Sequence, residues 1–307
     1  MYAGEGTISI SDSLGNLLFY SDGKAIWDKT NIVMPHGYGL RGTWQPRKPA
    51  LSFKRLSNDS TYYLFTVGET RYGPSDYNGL YYSIVDMRLH NGLGDIPLSL
   101  KNIPVHAADS AYDYLCGTRA ANNQDVWVIV KQHIPLINLK PYMAFKITTE
   151  GIDTIPVVSP SSLVHLISSS TDGEIKISPD GTRLITTGIC QPWSMRMAEF
   201  CHFNINTGQV TPLFIFKPTY DSIHPWHIEF SENGHYVYIT GNNYIEKPLL
   251  FQYDATKEDS AGFMASEVYL GNNCTSMQLA SNGKIYIDDA ASVPATDSMH
   301  VINFPNN

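Results

Sequence analysis

The chain has 307 residues and a formal net charge of −8, with 43% hydrophobic and 16% charged residues. This composition excludes a disordered protein, and the acidic charge argues against a nucleic-acid binder, which needs a basic face. No run of about 18 apolar residues occurs, so no membrane span is predicted. The first residues, MYAGEG, lack the basic and apolar regions of a signal peptide.

A strand–turn–strand unit recurs along the chain with a period of roughly 50 residues. Each copy has a short first strand, a tight turn, and a second strand rich in aromatic or β-branched residues. Asp-Gly or Asn-Gly in several turns tolerates the positive φ that tight hairpins require. The first strands are predicted at Ile8–Ser11, 50–53, 114–117, 175–178, 228–231 and 277–280, and the second strands at 17–20, 62–65, 126–129, 184–186, 236–239 and 284–287.

Further strands come after most copies of this unit. Third strands are predicted at 81–86, 143–147, 203–206 and 250–254, and fourth strands at 209–214 and 267–270. Four antiparallel strands in each unit form the blade of a β-propeller. We therefore predict an all-β propeller of six four-stranded blades, with seven as the alternative count. A pair of β-sandwiches would not predict the same unit six times. One domain, 1–307, is expected, with blades near 5–35, 46–103, 111–158, 173–216, 226–270 and 275–304.

The two ends of the chain predict an imperfectly closed ring. Propellers usually complete one blade with strands from both termini, which removes two free edges. Only Met1, Tyr2 and Ala3 precede the first inner-strand region, too few to form a pairing strand of typical length. We therefore expect residues 299–302 to form an exposed edge strand.

Several segments of the chain are distinctive, starting with EGTISISD at 5–12 and GNLLFYSDG at 15–23 and including GLGDI at 92–96 and the closing VINFPN at 301–306. Together they resemble a propeller domain of large surface proteins of gliding Bacteroidota. The resemblance implies a WD40-like or YVTN-like propeller in proteins that are gliding-motility-associated and exported by type IX secretion. It also implies a secreted or cell-surface location. It implies no particular reaction.

The first strand of each unit predicts which side chains line the central channel. Strand side chains alternate, and the apolar neighbours must pack between blades. The polar position between them then faces the channel, and Lys176 and Glu229, from successive blades, are expected to form an ion pair there. The channel or ligand candidates are Ser9, Ser52, Lys176, Glu229 and Gln278, with Cys116 or Thr118 from the third blade. Two interpretations stay open. The channel residues either form a hydrated lining whose polar groups hydrogen-bond among themselves, or they form a site for a small polar ligand.

Polar residues near the starts of the first strands are weak catalytic candidates. Some lactone-cleaving propellers use channel-mouth acids, histidines or a metal. A comparable set here consists of Glu5, Glu174, His227 and Glu229. His224 and His227 are weak metal-ligand candidates, since histidines three apart on a loop can hold a metal. The chain has no phosphate loop, HExxH or G-x-S-x-G motif, so no cofactor is predicted.

The four cysteines, Cys116, Cys190, Cys201 and Cys274, lack CxxC spacing, which argues against a zinc ribbon. Cys190 and Cys201 either face each other across a hairpin or, as we expect, remain free buried thiols. The favoured hypothesis is a non-enzymatic binding or presentation propeller with a protein or glycan partner at its loop face. The alternatives are a propeller hydrolase or lyase with a channel site, and a structural spacer in a large adhesin.

Overall fold

A computed structural model describes most of the chain, including the strands of every predicted blade. The described residues are 7–42, 50–56, 58–68, 79–109, 111–132, 140–163, 173–190, 195–219, 223–242, 248–272, 274–289 and 299–307. Within them the only α-helix is α1 (Ser260–Ala265), and it is too short to cross a membrane.

The first three blades are antiparallel sheets whose strands are ordered as in the chain, apart from β12. Blade 1 contains β1 (Ile8–Ser11), β2 (Leu17–Ser21) and β3 (Ile26–Asp28). Blade 2 contains β4 (Ala50–Lys54), β5 (Thr61–Gly68), β6 (Gly79–Asp86) and β7 (Ile103–Pro104). Blade 3 contains β8 (Ala111–Arg119), β9 (Val126–Gln132), β10 (Tyr142–Thr148) and β11 (Gly151–Ile152), with β12 (Val157–Ser159) also paired to β10.

The last three blades repeat the antiparallel order. Blade 4 contains β13 (Ile175–Ile177), β14 (Arg183–Cys190), β15 (Met195–Phe203) and β16 (Val210–Phe216). Blade 5 contains β17 (His224–Phe230), β18 (Tyr236–Asn242), β19 (Leu249–Asp254) and β20 (Val268–Asn272). Blade 6 contains β21 (Cys274–Leu279), β22 (Ile285–Asp289) and β23 (Met299–Ile302).

The six sheets form a six-bladed β-propeller, as the repeats predict. The first strands contact one another in sequence, β1 with β4, β4 with β8, β8 with β13, β13 with β17 and β17 with β21. They are therefore the inner strands around a common axis. Blades 1 and 6 each have three strands among the described residues, and no fourth strand pairs with β23 there.

The hydrophobic core consists of five clusters, each between two neighbouring blades. Strand alternation produces this arrangement. In β5, Tyr62 and Leu64 pack toward blade 1, whereas Tyr63 and Phe65 pack toward blade 3. Because both faces of the second strand are covered, β5 is buried over its whole length. In the sequence, these second strands therefore appear as continuous apolar runs and not as an alternation of apolar and polar residues.

One local prediction differs from the structure. The third strand of blade 4 is β15, at Met195–Phe203, and not residues 203–206. Residues 204–207 instead form the β15–β16 turn, in which the Asn204 side chain accepts hydrogen bonds from the N–H groups of Asn206 and Thr207. An asparagine that bonds its own backbone favours a turn over a strand, and this outweighs the alternation of Phe203 and Ile205.

As expected, Cys190 and Cys201 do not face each other across the β14–β15 hairpin. Cys201 lies opposite Leu184, whereas Cys190 lies opposite Met195 at the other end of the same β14–β15 pairing. Cys116, Cys201 and Cys274 are free and buried. Burial, reinforced by the nearby Glu199, raises the pKa of the Cys201 thiol well above its ordinary value, so this thiol stays protonated and unreactive.

Candidate functional site

A charged cluster occupies the inner strands of blades 4 and 5, and we call Glu174, Lys176, His227 and Glu229 the axial cluster. Lys176 lies between Ile175, which packs between blades 3 and 4, and the half-buried Ile177. Its side chain therefore faces the axis. Lys176 Nζ lies 2.6 Å from Glu229 Oε2, with side chains that are 15% and 2% exposed. The ion pair predicted between successive blades is present.

The charges around Lys176 keep it protonated. Desolvation alone would lower the pKa of Lys176, but the carboxylates of Glu229 and Glu174 outweigh it and raise the pKa above its usual value. The Cys116 thiol of blade 3 adds to this effect. The ammonium group therefore lies among side chains from three consecutive blades and remains a cation over the whole physiological pH range.

Each carboxylate of the axial cluster also binds the backbone of the next blade. Glu229 Oε2 accepts a hydrogen bond from the Leu279 N–H of β21 at 2.9 Å, and Oε1 accepts one from the Phe230 N–H at 3.0 Å. Glu174 Oε2 accepts one from the Ile228 N–H of β17 at 2.8 Å. The channel edge of an inner strand has backbone donors that no neighbouring strand pairs, and buried donors of this kind need a partner. The two glutamates supply it.

His227 completes the axial cluster on the side of Glu174. Its Nδ1 lies 3.4 Å from Glu174 Oε2, and its backbone N–H donates to Thr240 Oγ1 at 3.2 Å. A bulge between Pro225 and Ile228 displaces this part of β17 from regular pairing with β18. Three of the four weak catalytic candidates, Glu174, His227 and Glu229, are thus brought together, and the fourth, Glu5, lies outside the described residues.

The remaining predicted channel residues have separate surroundings. Ser9 is exposed on β1. Ser52 Oγ donates to the Tyr63 carbonyl at 2.8 Å, within its own blade. Gln278 is exposed on β21, and its Nε2 donates to the Leu279 carbonyl at 2.9 Å. These three residues do not contribute hydrogen bonds to the axial cluster, whereas the buried Cys116 lies close enough to influence Lys176.

The two histidines considered as metal ligands have different partners. His224 Nδ1 accepts a hydrogen bond from the Arg196 N–H at 3.1 Å, whereas His227 Nδ1 faces Glu174. Burial, followed by the positive charges of Arg196 and Lys217, lowers the pKa of His224. In the described ranges no group of three or more His, Cys, Asp or Glu side chains is placed to hold a metal ion.

A second buried polar network, between blades 3 and 4, is absent from the sequence-based predictions. Lys131 Nζ donates to Ser161 Oγ at 3.0 Å, and Ser161 Oγ donates to Glu199 Oε2 at 2.8 Å. The Tyr142 hydroxyl also donates to Glu199 Oε2, at 2.5 Å. Lys131 and Glu199 are fully buried, and burial raises the pKa of Tyr142. The sequence signal is the lysine that directly follows the apolar residues 126–130 within β9, where an unpaired charge would be costly.

Comparisons with known proteins identify no family for this chain. No protein-family model and no curated protein matches it. Among solved structures it is similar to the β-propeller domain of Cps50 (Swd1) from Myceliophteria thermophila, at 10% identity over 92% of this chain and 79% of that one, with a TM-score of 0.48. The periplasmic gluconolactonase PpgL of Pseudomonas aeruginosa is 13% identical over 80% and 68%, with a TM-score of 0.44. TolB from Acinetobacter baumannii is 11% identical over 92% and 58%, with a TM-score of 0.41. At such low identity no activity or partner is transferred.

Proposed function

We propose that this chain is a non-catalytic binding propeller. The observation that carries the proposal is the hydrogen bonding of the axial cluster, above all that of Glu229. Both oxygens of Glu229 accept hydrogen bonds from the backbone, and Oε2 also pairs with Lys176. Glu174 is engaged by Ile228 and His227. A catalytic acid or base needs an oxygen or nitrogen that reaches the substrate, and both oxygens of Glu229 are already engaged in these contacts.

The proposed partner is a protein that covers the outer strand of blade 5. Val268, Tyr269 and Leu270 are consecutive on β20 and are 48%, 50% and 43% exposed. Natural edge strands are usually protected by charged residues or proline, because an apolar edge adds to other chains. A run of three large apolar residues without such protection is typical of a surface that a partner covers. This surface favours a protein over a glycan.

We also propose that the protein acts outside the cell or at its surface. This part of the proposal is supported by the resemblance of residues 5–23 and 92–96 to surface proteins of gliding Bacteroidota. Fractionation of the source cells tests it, with recovery in the cytoplasmic fraction as the contradicting result.

The hydrolase or lyase alternative is favoured by one contact, that between His227 and Glu174. Hydrolysis of glucono-δ-lactone tests this alternative, because the candidate residues are comparable to those that lactone-cleaving propellers use. The proposal predicts no acceleration over buffer by the native chain, by Glu174→Gln or by His227→Asn. Acceleration that His227→Asn abolishes, in a variant with an unchanged melting curve, would establish the enzyme and refute the proposal.

Photo-crosslinking in the source cells tests the binding surface. Benzoylphenylalanine in place of Tyr269 should give a discrete heavier adduct. The same group in place of Tyr38, which is 68% exposed near blade 1, is the matched control and should give none. Adducts at neither position would favour the structural spacer, and equal adducts at both would show that β20 is not a specific surface.

A further inference from the structure

A cavity separate from the axial cluster lies between blades 2 and 3. Its volume is about 300 Å³, at the lower end of the range for small-molecule sites. Blade 2 contributes Arg55 directly after β4, Tyr63 from β5, Tyr82 from β6 and Val105 after β7. Blade 3 contributes Glu150 from the β10–β11 turn and Ile152 from β11. No residue is shared with the axial cluster, so the two sites can be tested independently.

Arg55 brings an unmatched positive charge to this cavity. Its guanidinium lies 5.4 Å from the centre of the Tyr63 ring, a cation–π contact that orients the group. Arg55 Nε is buried and has no hydrogen-bond partner. Among the described residues no carboxylate forms an ion pair with it, whereas the neighbouring Lys54 pairs with Asp59 at 3.1 Å. A partly buried guanidinium in this state is suited to an anionic ligand.

Two tyrosines add neutral donors to the same wall. The rings of Tyr63 and Tyr82 meet edge to face with centroids 5.7 Å apart. Neither hydroxyl has a hydrogen-bond partner in the part of the chain that the structure describes. Burial raises the pKa of Tyr82, so this phenol stays protonated and can donate. In this cavity the buried polar atom without a partner is Arg55 Nε, and such atoms are uncommon in folded proteins.

We propose that this cavity binds a small monocarboxylate with an apolar or aromatic body. The carboxylate pairs with the Arg55 guanidinium and accepts from the Tyr82 hydroxyl. The body packs against Val105, Ile152 and the tyrosine rings. Glu150 is exposed at the rim, and its negative charge opposes a second anionic group on the ligand. A monoanion therefore suits the site better than a phosphate dianion.

Calorimetric titration of the full chain with phenylacetate tests this proposal. We expect one binding site, and about 10-fold weaker binding of the neutral isostere phenylacetamide. Charge-assisted hydrogen bonds contribute enough that Arg55→Gln should weaken phenylacetate binding by about 10-fold or more. Tyr82→Phe should weaken it by about 3-fold to 10-fold. Arg88→Gln is the matched control, because Arg88 belongs to the same blade but pairs with Asp86 outside the cavity.

Several results would overturn the assignment. Equal affinity of phenylacetate and phenylacetamide, or of native chain and Arg55→Gln, would show that the guanidinium does not bind the ligand. Tighter binding of phenyl phosphate than of phenylacetate would contradict a monoanion site. Absence of binding by both phenylacetate and 3-phenylpropionate at about 10 mM would show that the cavity is not such a site. If Arg55→Gln melts early, Tyr82→Phe decides, because it keeps the ring and removes only the hydroxyl.

Discussion

Glu229 shows how one side chain can join three blades, since it pairs with Lys176 of blade 4 and accepts from Leu279 of blade 6. Removing one member of a buried pair leaves an uncompensated charge. We expect Glu229→Gln to lower the free energy of unfolding by about 2–4 kcal/mol, measured by urea denaturation. Lys176→Met in the same chain should restore a substantial part of the loss.

Lys257→Met is the control for this double-mutant cycle. The Lys257 side chain is 51% exposed, and its Nζ lies 3.7 Å from Asp254 Oδ2. We therefore expect the free energy of unfolding to change by less than about 0.5 kcal/mol. A Glu229→Gln effect as small as that of the control would show that the axial ion pair contributes nothing to stability.

The contact between blades 1 and 2 includes Asp95, whose contribution to stability should fall in acid. Burial alone would raise its pKa, but hydrogen bonds from the backbone of His36 and Ile96 and from the His36 ring hold the pKa below its ordinary value. Stability from a depressed carboxyl pKa is present above the unfolded pKa, near 3.9, and is lost as the pH falls through the folded pKa. Asp95→Asn should therefore be less stable than the native chain at pH 7, and the difference should shrink below about pH 4.

Urea unfolding at a series of pH values measures this effect. Asp109→Asn serves as the control, because the Asp109 side chain is 69% exposed, and it should change stability by less than about 0.5 kcal/mol. A difference between native chain and Asp95→Asn that is the same at pH 7 and pH 3 would contradict the assignment.

Among the turns, alanine substitutions at two glycines with positive φ distinguish the cost of backbone strain from the cost of steric overlap. Gly234 has φ +70° in the β17–β18 turn, and an added Cβ would meet its nearest neighbours at an ordinary 3.7 Å. Gly208 has φ +77° before β16, and there a Cβ would lie 2.6 Å from the Trp127 ring. Gly234→Ala should cost about 1–2 kcal/mol, from backbone strain alone. Gly208→Ala should cost more, because a buried ring must also move. Thermal or urea unfolding of both variants measures this, and equal losses would refute it.

The first two strands of each blade are easier to predict from the sequence than the outer strands. The strand–turn–strand units are recognisable because β5, β9, β14 and β18 are apolar on both faces and glycine marks several of the turns. The hydrophobic pattern does not reveal the position of β15, because this strand contains the buried residues Arg196 and Glu199. Charged residues interrupt the apolar run that is typical of a core strand. Their burial depends on partners from other elements, which a single sequence does not show.

The candidate site is predictable to a similar extent. The phase of the repeats places Lys176 and Glu229 on the same side of adjacent inner strands, so their ion pair can be inferred from the pattern. The contacts of Glu174 with Ile228 and of Glu229 with Leu279 depend on how the blades are rotated about the axis. The interblade cavity depends on the packing of a blade 3 turn against blade 2. Neither has a signal in local periodicity.

At the scale of the whole molecule, the closure of the ring predicts uneven protection. β14 lies between β13 and β15 and is paired on both sides, whereas β23 is paired only with β22 among the described residues. Backbone amides at a one-sided edge open more readily. Hydrogen exchange should therefore be much faster at 299–302 than at 184–187. Equal protection would contradict an open edge and would indicate that another strand covers β23.

In our interpretation the axial cluster holds the blades together, while the outer surface of blade 5 binds the partner. Photo-crosslinking at position 269 in a chain that also carries Lys176→Met and Glu229→Gln tests both parts most directly. We expect an adduct of the same size and yield as in the chain with the native pair, although the urea midpoint of the variant changes. Loss of the adduct in a variant that remains folded would contradict this division of roles and place binding in the channel.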